Sequence, residues 1–143
     1  MPFLLDVNVI ISILDPEHVH HARAQGWFER EGQVHWLTCP TVENGVVRIV
    51  SGPRYPGVTT TPAQMLERLE SLRALGRHEF VPDSLSLLDD SIFRRRSLLG
   101  SRQVTDTYLL GIAAHHGAVL ATLDTRLVTN AVIDGNAHVY VIL

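Results

Sequence analysis

The chain has 143 residues, of which 45% are hydrophobic and 19% are charged, and its formal net charge is −3 at pH 7. This length predicts one domain over residues 1–143, and the composition excludes a disordered chain and a uniformly basic nucleic-acid-binding protein. No apolar run reaches the ~20 residues of a membrane span. Cys39 is the only cysteine, which excludes an internal disulfide, and we expect a cytoplasmic protein without a signal peptide.

Short strand-like runs alternate with helix-like runs along the chain. The predicted elements, in chain order, are a strand at 3–5, helices at 7–14 and 18–31, a strand at 34–39, a helix at 40–49, a loop at 52–58, a helix at 62–75, a strand at 79–81, a helix at 85–93, a helix at 106–116, a strand at 119–122, a further helix, and a strand at 138–143. Thr61 and Gln64 form a capping box for one helix, and Thr105 is a candidate cap for another. The alternation predicts an α/β fold with a mainly parallel sheet and helices on both faces.

Four isolated acidic residues lie where apolar runs end or helices begin: Asp6, Glu43, Asp106 and Asp124. In an open α/β sheet, strand ends and the starts of the following helices lie at one edge, so we expect the four carboxylates to meet there. Crowded carboxylates repel each other and need a compensating cation, and oxygen ligands suit Mg²⁺ or Mn²⁺. The sequence therefore predicts a catalytic metal site suited to phosphate chemistry.

Each acidic residue also has an ordinary structural interpretation. Asp6 suits the N-cap of a helix. Glu43 and Asp106 suit the first turn of a helix, where the helix dipole favours negative charge. Asp124 suits a turn. No single position decides between the interpretations, and their common placement at one edge favours the metal site.

Polar and basic residues complete the prediction. Asn8 and Thr122 are predicted to support the acidic residues. All twelve basic residues are arginine, so lysine chemistry is excluded and each cation suits bidentate phosphate contacts. The candidates for contact with a polyanion such as RNA are Arg54, Tyr55, Arg94, Arg95, Arg96 and Arg102. A solvated surface patch is the ordinary alternative for these residues.

The segments around the acidic residues resemble motifs of the PIN-domain nucleases, and among them of the VapC-type toxins of bacterial toxin–antitoxin pairs. These segments are residues 4–9 (LLDVNV), 41–48 (TVENGVVR), 104–113 (VTDTYLLGIA) and 121–124 (ATLD). The resemblance implies a three-layer α/β/α PIN-like fold with a five-stranded parallel sheet, and an acidic quartet at Asp6, Glu43, Asp106 and Asp124. It also implies an endoribonuclease that depends on Mg²⁺ or Mn²⁺, forms a homodimer and has a small antitoxin partner.

We interpret the chain as a toxin that cleaves structured RNA of the tRNA or rRNA class by metal-activated attack of water on a phosphodiester. Two alternatives remain at this stage. One is a metal-dependent DNA nuclease or phosphatase, which would share the acidic residues. The other is a catalytically inactive dimeric interaction module with the same fold. Residues 52–102 carry no shared motif, so the sequence does not identify the RNA.

Overall fold

Five short strands form one parallel sheet in the computed structural model, which describes residues 1–143. The strands are β1 (Phe3–Leu5), β2 (Trp36–Thr38), β3 (His78–Phe80), β4 (Val119–Thr122) and β5 (Val139–Val141). Their order across the sheet is β3-β2-β1-β4-β5, and all four neighbouring pairs are parallel. The predicted five-stranded parallel sheet is therefore confirmed.

The central strands are apolar without alternation, as expected of strands covered on both faces. Leu4 and Leu5 of β1 are fully buried, and all four residues of β4 are buried. The outer strand β3 is mostly exposed. Because β1 and β4 are adjacent and parallel, their carboxyl ends lie side by side at the centre of one edge of the sheet.

Five helices surround the sheet: α1 (Val7–Leu14), α2 (His21–Arg30), α3 (Pro40–Val50), α4 (Pro62–Arg73) and α5 (Val104–His115). Helix α1 packs on α2 and α3, and α3 packs on α4, whereas α5 packs on β1 and β4. Right-handed crossovers with this strand order place α5 on the face opposite α1–α4. The arrangement is the predicted three-layer α/β/α architecture, and none of its helices could span a bilayer.

Local signals located some helix ends correctly. The capping box is present, since the Thr61 side chain accepts from the Gln64 N–H and the Gln64 side chain accepts from the Thr61 N–H. The predicted start of a helix at 18 was wrong. Helix α2 begins at His21, because the His18 ring accepts the His20 N–H and holds a turn before the helix.

The predicted helix at 85–93 was also wrong, because this segment consists of turns. Side chains compete with the backbone there: Ser86 accepts the Leu88 N–H at 3.1 Å, and Asp89 accepts the Ser91 N–H at 2.9 Å. Phe93 then anchors the segment on α5. Its ring occupies the place where a Cβ on Gly111 would lie only 2.4 Å away, so α5 needs glycine at that position.

Two further expectations near the ends of elements were wrong. Thr105 does not cap α5, because a 3-10 turn at Ser101–Gln103 leads into the helix and α5 begins at Val104. The helix expected before β5 is a single 3-10 turn at Gly135–His138, which Asp134 precedes in a left-handed conformation. The residues of this 3-10 turn, Gly-Asn-Ala-His, lack the apolar spacing of a helix.

Candidate functional site

Asp6 lies at the carboxyl end of β1 and is only 6% exposed. It is the N-cap of α1, because its Oδ1 atom accepts the Val7 N–H at 2.7 Å. Its Oδ2 atom accepts the hydroxyl of Thr122 at 3.1 Å. The Asp6 N–H donates to the Ala121 carbonyl at 3.0 Å, which fixes the backbone against β4. The capping and site interpretations of Asp6 are therefore compatible, since one carboxylate serves the helix and faces the sheet edge.

Neighbouring negative charges raise the pKa values of two carboxylates at this edge, Asp6 and Asp106. Burial raises the pKa of Asp6 to about 6, and the negative charge of Asp106 raises it next most strongly. Hydrogen bonds from Thr122 and Val7 oppose this rise, and Asp124 adds a smaller upward effect on the pKa. Burial and the charge of Asp124 also raise the pKa of Asp106. The structure thus brings Asp6, Asp106 and Asp124 into one group of repelling charges.

Thr122 links two members of this group. Its hydroxyl donates to Asp6, and its oxygen accepts the Asp124 N–H at 3.1 Å. The Asp124 Oδ1 atom in turn accepts the Arg126 N–H at 2.8 Å, so the turn after β4 is closed by the carboxylate itself. The buried Thr122 hydroxyl thus joins Asp6, at the end of β1, to Asp124, which follows β4.

Asp106 lies in the first turn of α5 and forms a wall common to two surface cavities. The first, which we call the Asp6 cavity, has a volume of about 410 Å³, and its lining includes Asp6, Asn8, Asn44 and Arg48. The second, the Asp124 cavity, has a volume of about 170 Å³. Its polar lining is Arg102, Gln103, Asp106, Asp124 and Arg126. Asp106 therefore lies between two cavities, one of which contains Asp6 and the other Asp124.

Glu43, which the sequence predicts to lie with the other three carboxylates, has different partners in this conformation. Its Oε2 atom accepts the Thr38 hydroxyl at 2.6 Å and lies 3.3 Å from Arg73 Nη1. Thr38 also contacts His78 Nε2 at 2.8 Å. Burial, together with the charge of Arg73, lowers the pKa of His78 to about 4, so His78 is neutral near pH 7. Because the Thr38 hydroxyl donates its only proton to Glu43, the Nε2–H of His78 donates to Thr38. Glu43 thus belongs to a network that includes Thr38 at the carboxyl end of β2 and His78 at the start of β3.

The donor set of the acidic group suits a hard cation in its chemistry. Carboxylates, a threonine hydroxyl and the side chain of Asn8 offer oxygen ligands, which Mg²⁺ and Mn²⁺ prefer. No positive side chain lowers the pKa of Asp6 or Asp106, so these carboxylates lack a counter-charge from the protein. In this conformation, no three His, Cys, Asp or Glu side chains lie close enough together to hold a metal ion between them.

The candidate polyanion contacts separate into those near the acidic group and those away from it. Arg102 lines the Asp124 cavity. The candidates Arg94, Arg95 and Arg96 line a different cavity, where Arg95 pairs with Asp90 at 2.9 Å.

Arg54 and Tyr55, the candidate polyanion contacts in the loop at 52–58, line neither the Asp6 cavity nor the Asp124 cavity. Arg54 is exposed, and the Tyr55 hydroxyl donates to Asp15 at the end of α1. Tyr55 is half-buried and lines a cavity between α1, α3 and α4, so its polar atom already has a partner inside the protein.

Sequence reasoning missed Arg126. The residue lines the Asp124 cavity beside Asp106 and Asp124. Its position in the sequence, two residues after Asp124, could have identified it. Residues that directly follow a strand lie at the same edge of the sheet as the end of that strand.

Comparison with known proteins adds an independent observation. The family model described as PIN domain matches residues 3–133. Three ribonucleases of Mycobacterium tuberculosis are similar over most of their length. VapC39 is 41% identical over 131 residues, covering 92% of this chain and 94% of that protein. VapC44 is 37% identical over 92% of each chain, and VapC38 is 38% identical over 90% of this chain and 89% of its own.

Two solved structures share the fold at low sequence identity. The crystal structure of VapBC2 from Rickettsia felis, bound to a DNA fragment from its promoter, gives a TM-score of 0.58 at 14% identity and covers 88% of this chain and 90% of its own. The structure of FitAB bound to an IR36 DNA fragment gives a TM-score of 0.57 at 19% identity and covers 96% of this chain and 93% of its own. These similarities establish the architecture of the sheet and its helices.

Proposed function

Because the chain belongs to the PIN-domain family, and within it to the VapC ribonucleases, we propose that it is a metal-dependent endoribonuclease and the toxin of a toxin–antitoxin pair. The observation that carries the proposal is that Asp106, whose own pKa is raised by Asp124, raises the pKa of the buried Asp6 and lines the cavities that contain Asp6 and Asp124. Family membership supports the reaction class, and the three carboxylates support the place where it occurs.

In this proposal Asp6, Asp106 and Asp124 hold Mg²⁺ or Mn²⁺. The ion, when bound, acts as a Lewis acid that activates water and stabilises negative charge on the phosphate. The residues of the chain prepare the place for it. Val7 N–H and the Thr122 hydroxyl fix the orientation of the Asp6 carboxylate. Burial keeps water away from Asp6, which strengthens the attraction of its charge for a cation.

Glu43 enters the proposal as an additional acidic residue at the active site. Its ion pair with Arg73 is partly exposed, with the two side chains 17% and 39% exposed respectively. Exposed pairs contribute only about 0–1 kcal/mol, so Arg73 itself binds Glu43 weakly, while the Thr38 hydroxyl also holds the Glu43 carboxylate. We propose that Glu43 exchanges Arg73 for the cation when the site is loaded.

The proposed substrate is structured RNA of the tRNA or rRNA class in the cytoplasm. The proposed partners are a small cognate antitoxin and a second copy of this chain. An inactive interaction module is disfavoured by the acidic group, because a buried carboxylate whose pKa is raised by neighbouring negative charge is costly to the fold and is typical of a functional site.

The proposed function is tested by inducing the chain in a bacterium with and without the gene beside it, and by sequencing new RNA 5′ ends. We expect growth arrest and new ends at a few defined sites, both reversed by the neighbouring gene product. Asp106→Asn is the matched control, since it keeps the shape of the side chain and should abolish both effects. Normal growth with soluble, folded wild-type protein, and no new RNA ends, would contradict the proposal.

A further inference from the structure

The Asp124 cavity contains two arginines beside two carboxylates. Arg102 enters from the 3-10 turn before α5, and Arg126 comes from the turn after β4. They come from segments on either side of Asp106 and Asp124 and line the same concavity of about 170 Å³. Positive and negative side chains thus share one small, open space.

These arginines form no ion pair. The ion pairs of the molecule use Arg73, Arg77, Arg95 and His35. Arg126 contacts Asp124 only through its backbone N–H, which leaves its guanidinium without an acidic partner. The negative charges of Asp106 and Asp124 are therefore not neutralised by the arginines that lie beside them.

Opposite charges that share a cavity without pairing can each bind an external group of the opposite sign. The carboxylates attract a cation, and the two guanidiniums attract an anion. A guanidinium forms two parallel hydrogen bonds to phosphate oxygens, so two of them can grip one phosphodiester from both sides. A cation next to a phosphodiester is the ligand pair whose charges match this arrangement.

We propose that Arg102 and Arg126 form a phosphate-binding subsite for the RNA strand, next to the bond that is cleaved. This inference rests on the proposed function. The subsite holds the backbone phosphate on the Asp124 side of Asp106, and the strand continues over Asp106 into the Asp6 cavity beside Arg48. It contacts phosphate alone, so it positions RNA without reading its sequence. The cluster Arg94–Arg96 lines another cavity and has no part in this subsite.

The test measures binding of a labelled single-stranded RNA oligonucleotide in EDTA over a range of salt concentrations. The variants are Arg102→Gln, Arg126→Gln and the double substitution. Arg30→Gln is the matched control, because Arg30 is an exposed arginine of α2 that lines neither cavity. We expect the double variant to reduce the slope of log affinity against log salt by ~0.7, the value for one phosphate contact of a single strand. The control slope should equal that of the wild type.

A second readout separates positioning from a general loss of structure. With Mn²⁺ present, the double variant should raise KM for RNA several-fold and change kcat less, while its melting temperature stays that of the wild type. Arg102→Lys combined with Arg126→Lys should keep the salt slope, since the charges remain, but recover KM only in part because lysine lacks the bidentate fork.

The outcomes distinguish this subsite from the proposed function. If the wild type cleaves RNA, and the double glutamine variant keeps both its salt slope and its KM, the subsite is wrong and the nuclease stands. If the wild type binds RNA and the variant loses slope, but no preparation cleaves RNA with Mg²⁺ or Mn²⁺, the subsite stands and the nuclease proposal fails. If the wild type binds no RNA at any salt concentration, the subsite is overturned.

Discussion

The Thr122 hydroxyl donates a hydrogen bond to the Oδ2 atom of Asp6 at 3.1 Å, joining the ends of the two central strands. This bond favours the charged form of a buried carboxylate whose burial and acidic neighbours favour the neutral form. Thr122 therefore regulates how readily Asp6 carries the negative charge that a cation requires.

Thr122→Val should raise the pKa of Asp6 above its value of about 6, because the shape is kept and the stabilising hydroxyl is lost. The variant should also unfold more easily by ~1–3 kcal/mol, since Asp6 keeps a buried oxygen without its partner. An NMR titration of the Asp6 carboxyl carbon in EDTA measures the pKa. Thr122→Ser is the control that retains the hydroxyl, and an unchanged pKa in the valine variant would contradict the prediction.

The contribution of Asp6 to the stability of the metal-free protein should fall as pH rises from about 4 to about 6, opposite to that of His78, whose lowered pKa makes the native state more stable as pH rises over the same range. The pKa of Asp6 is 3.8 in a model acid and about 6 in the folded chain, so the native state keeps a proton that the unfolded state releases in this range. The free energy of unfolding then decreases with pH, by about 3 kcal/mol for this one group. The raised pKa of Asp106 acts in the same direction.

Asp6→Asn should remove this contribution, since asparagine has no proton to release, so the free energy of unfolding of the variant should rise with pH relative to that of the wild type. Denaturant unfolding in EDTA between pH 4 and pH 7 measures the effect. Glu67→Gln removes one exposed negative charge on α4 and serves as the control. If the wild type and Asp6→Asn follow parallel curves through this range, Asp6 does not carry the raised pKa.

The sheet and the acidic edge could be predicted because their signals are local. The apolar runs that form β1 and β4 end directly at Asp6 and just before Asp124. The parallel order then brings those ends together whatever the loops do. The capping box of Thr61 is likewise a signal within four residues.

The position of Glu43 could not be predicted because its partner lies far along the chain. Arg73 is thirty residues away, at the end of α4, and only the packing of α4 on α3 brings it to Glu43. The helix predicted at 85–93 was wrong for a different reason. The apolar spacing of these residues suggests a helix, while short polar side chains bond the backbone and Phe93 packs under a glycine of α5.

Arg73→Gln should tighten Mn²⁺ binding several-fold if Glu43 joins the loaded site. The substitution removes the positive charge that competes with the cation for Glu43. It should lower the free energy of unfolding by no more than about 1 kcal/mol, because the pair is partly exposed. Isothermal titration calorimetry measures the affinity, with Arg77→Gln as the control from another exposed pair. Equal affinity in both variants and the wild type would leave Glu43 in the Thr38 network alone.

Neutralising Arg94, Arg95 and Arg96 together should weaken RNA binding and flatten its dependence on salt. Each phosphate contact that is lost reduces the log–log slope by roughly one unit or slightly less. Arg95 should contribute least, since it already pairs with Asp90. Filter binding of RNA over a salt series measures the slope. A slope equal to that of the wild type would identify the cluster as solvated surface.

Asp106→Asn should melt at a higher temperature than the wild type in EDTA. The substitution removes one charge from the repelling group while it keeps the shape of the side chain. Mg²⁺ should raise the melting temperature of the wild type far more than that of the variant, because a ligand stabilises the state that binds it. If the variant is less stable and neither form responds to Mg²⁺, Asp106 serves only the dipole of α5.

The rate of RNA cleavage by purified protein, measured against Mg²⁺ concentration for the wild type and Asp106→Asn, tests the central claim most directly. The wild type should cleave nothing in EDTA and should gain activity that saturates with added Mg²⁺. Asp106→Asn should lose nearly all cleavage at every Mg²⁺ concentration while it remains folded and continues to bind RNA. Cleavage by the wild type in EDTA, or equal cleavage by the folded variant, would contradict a nuclease that works through a cation held by these carboxylates.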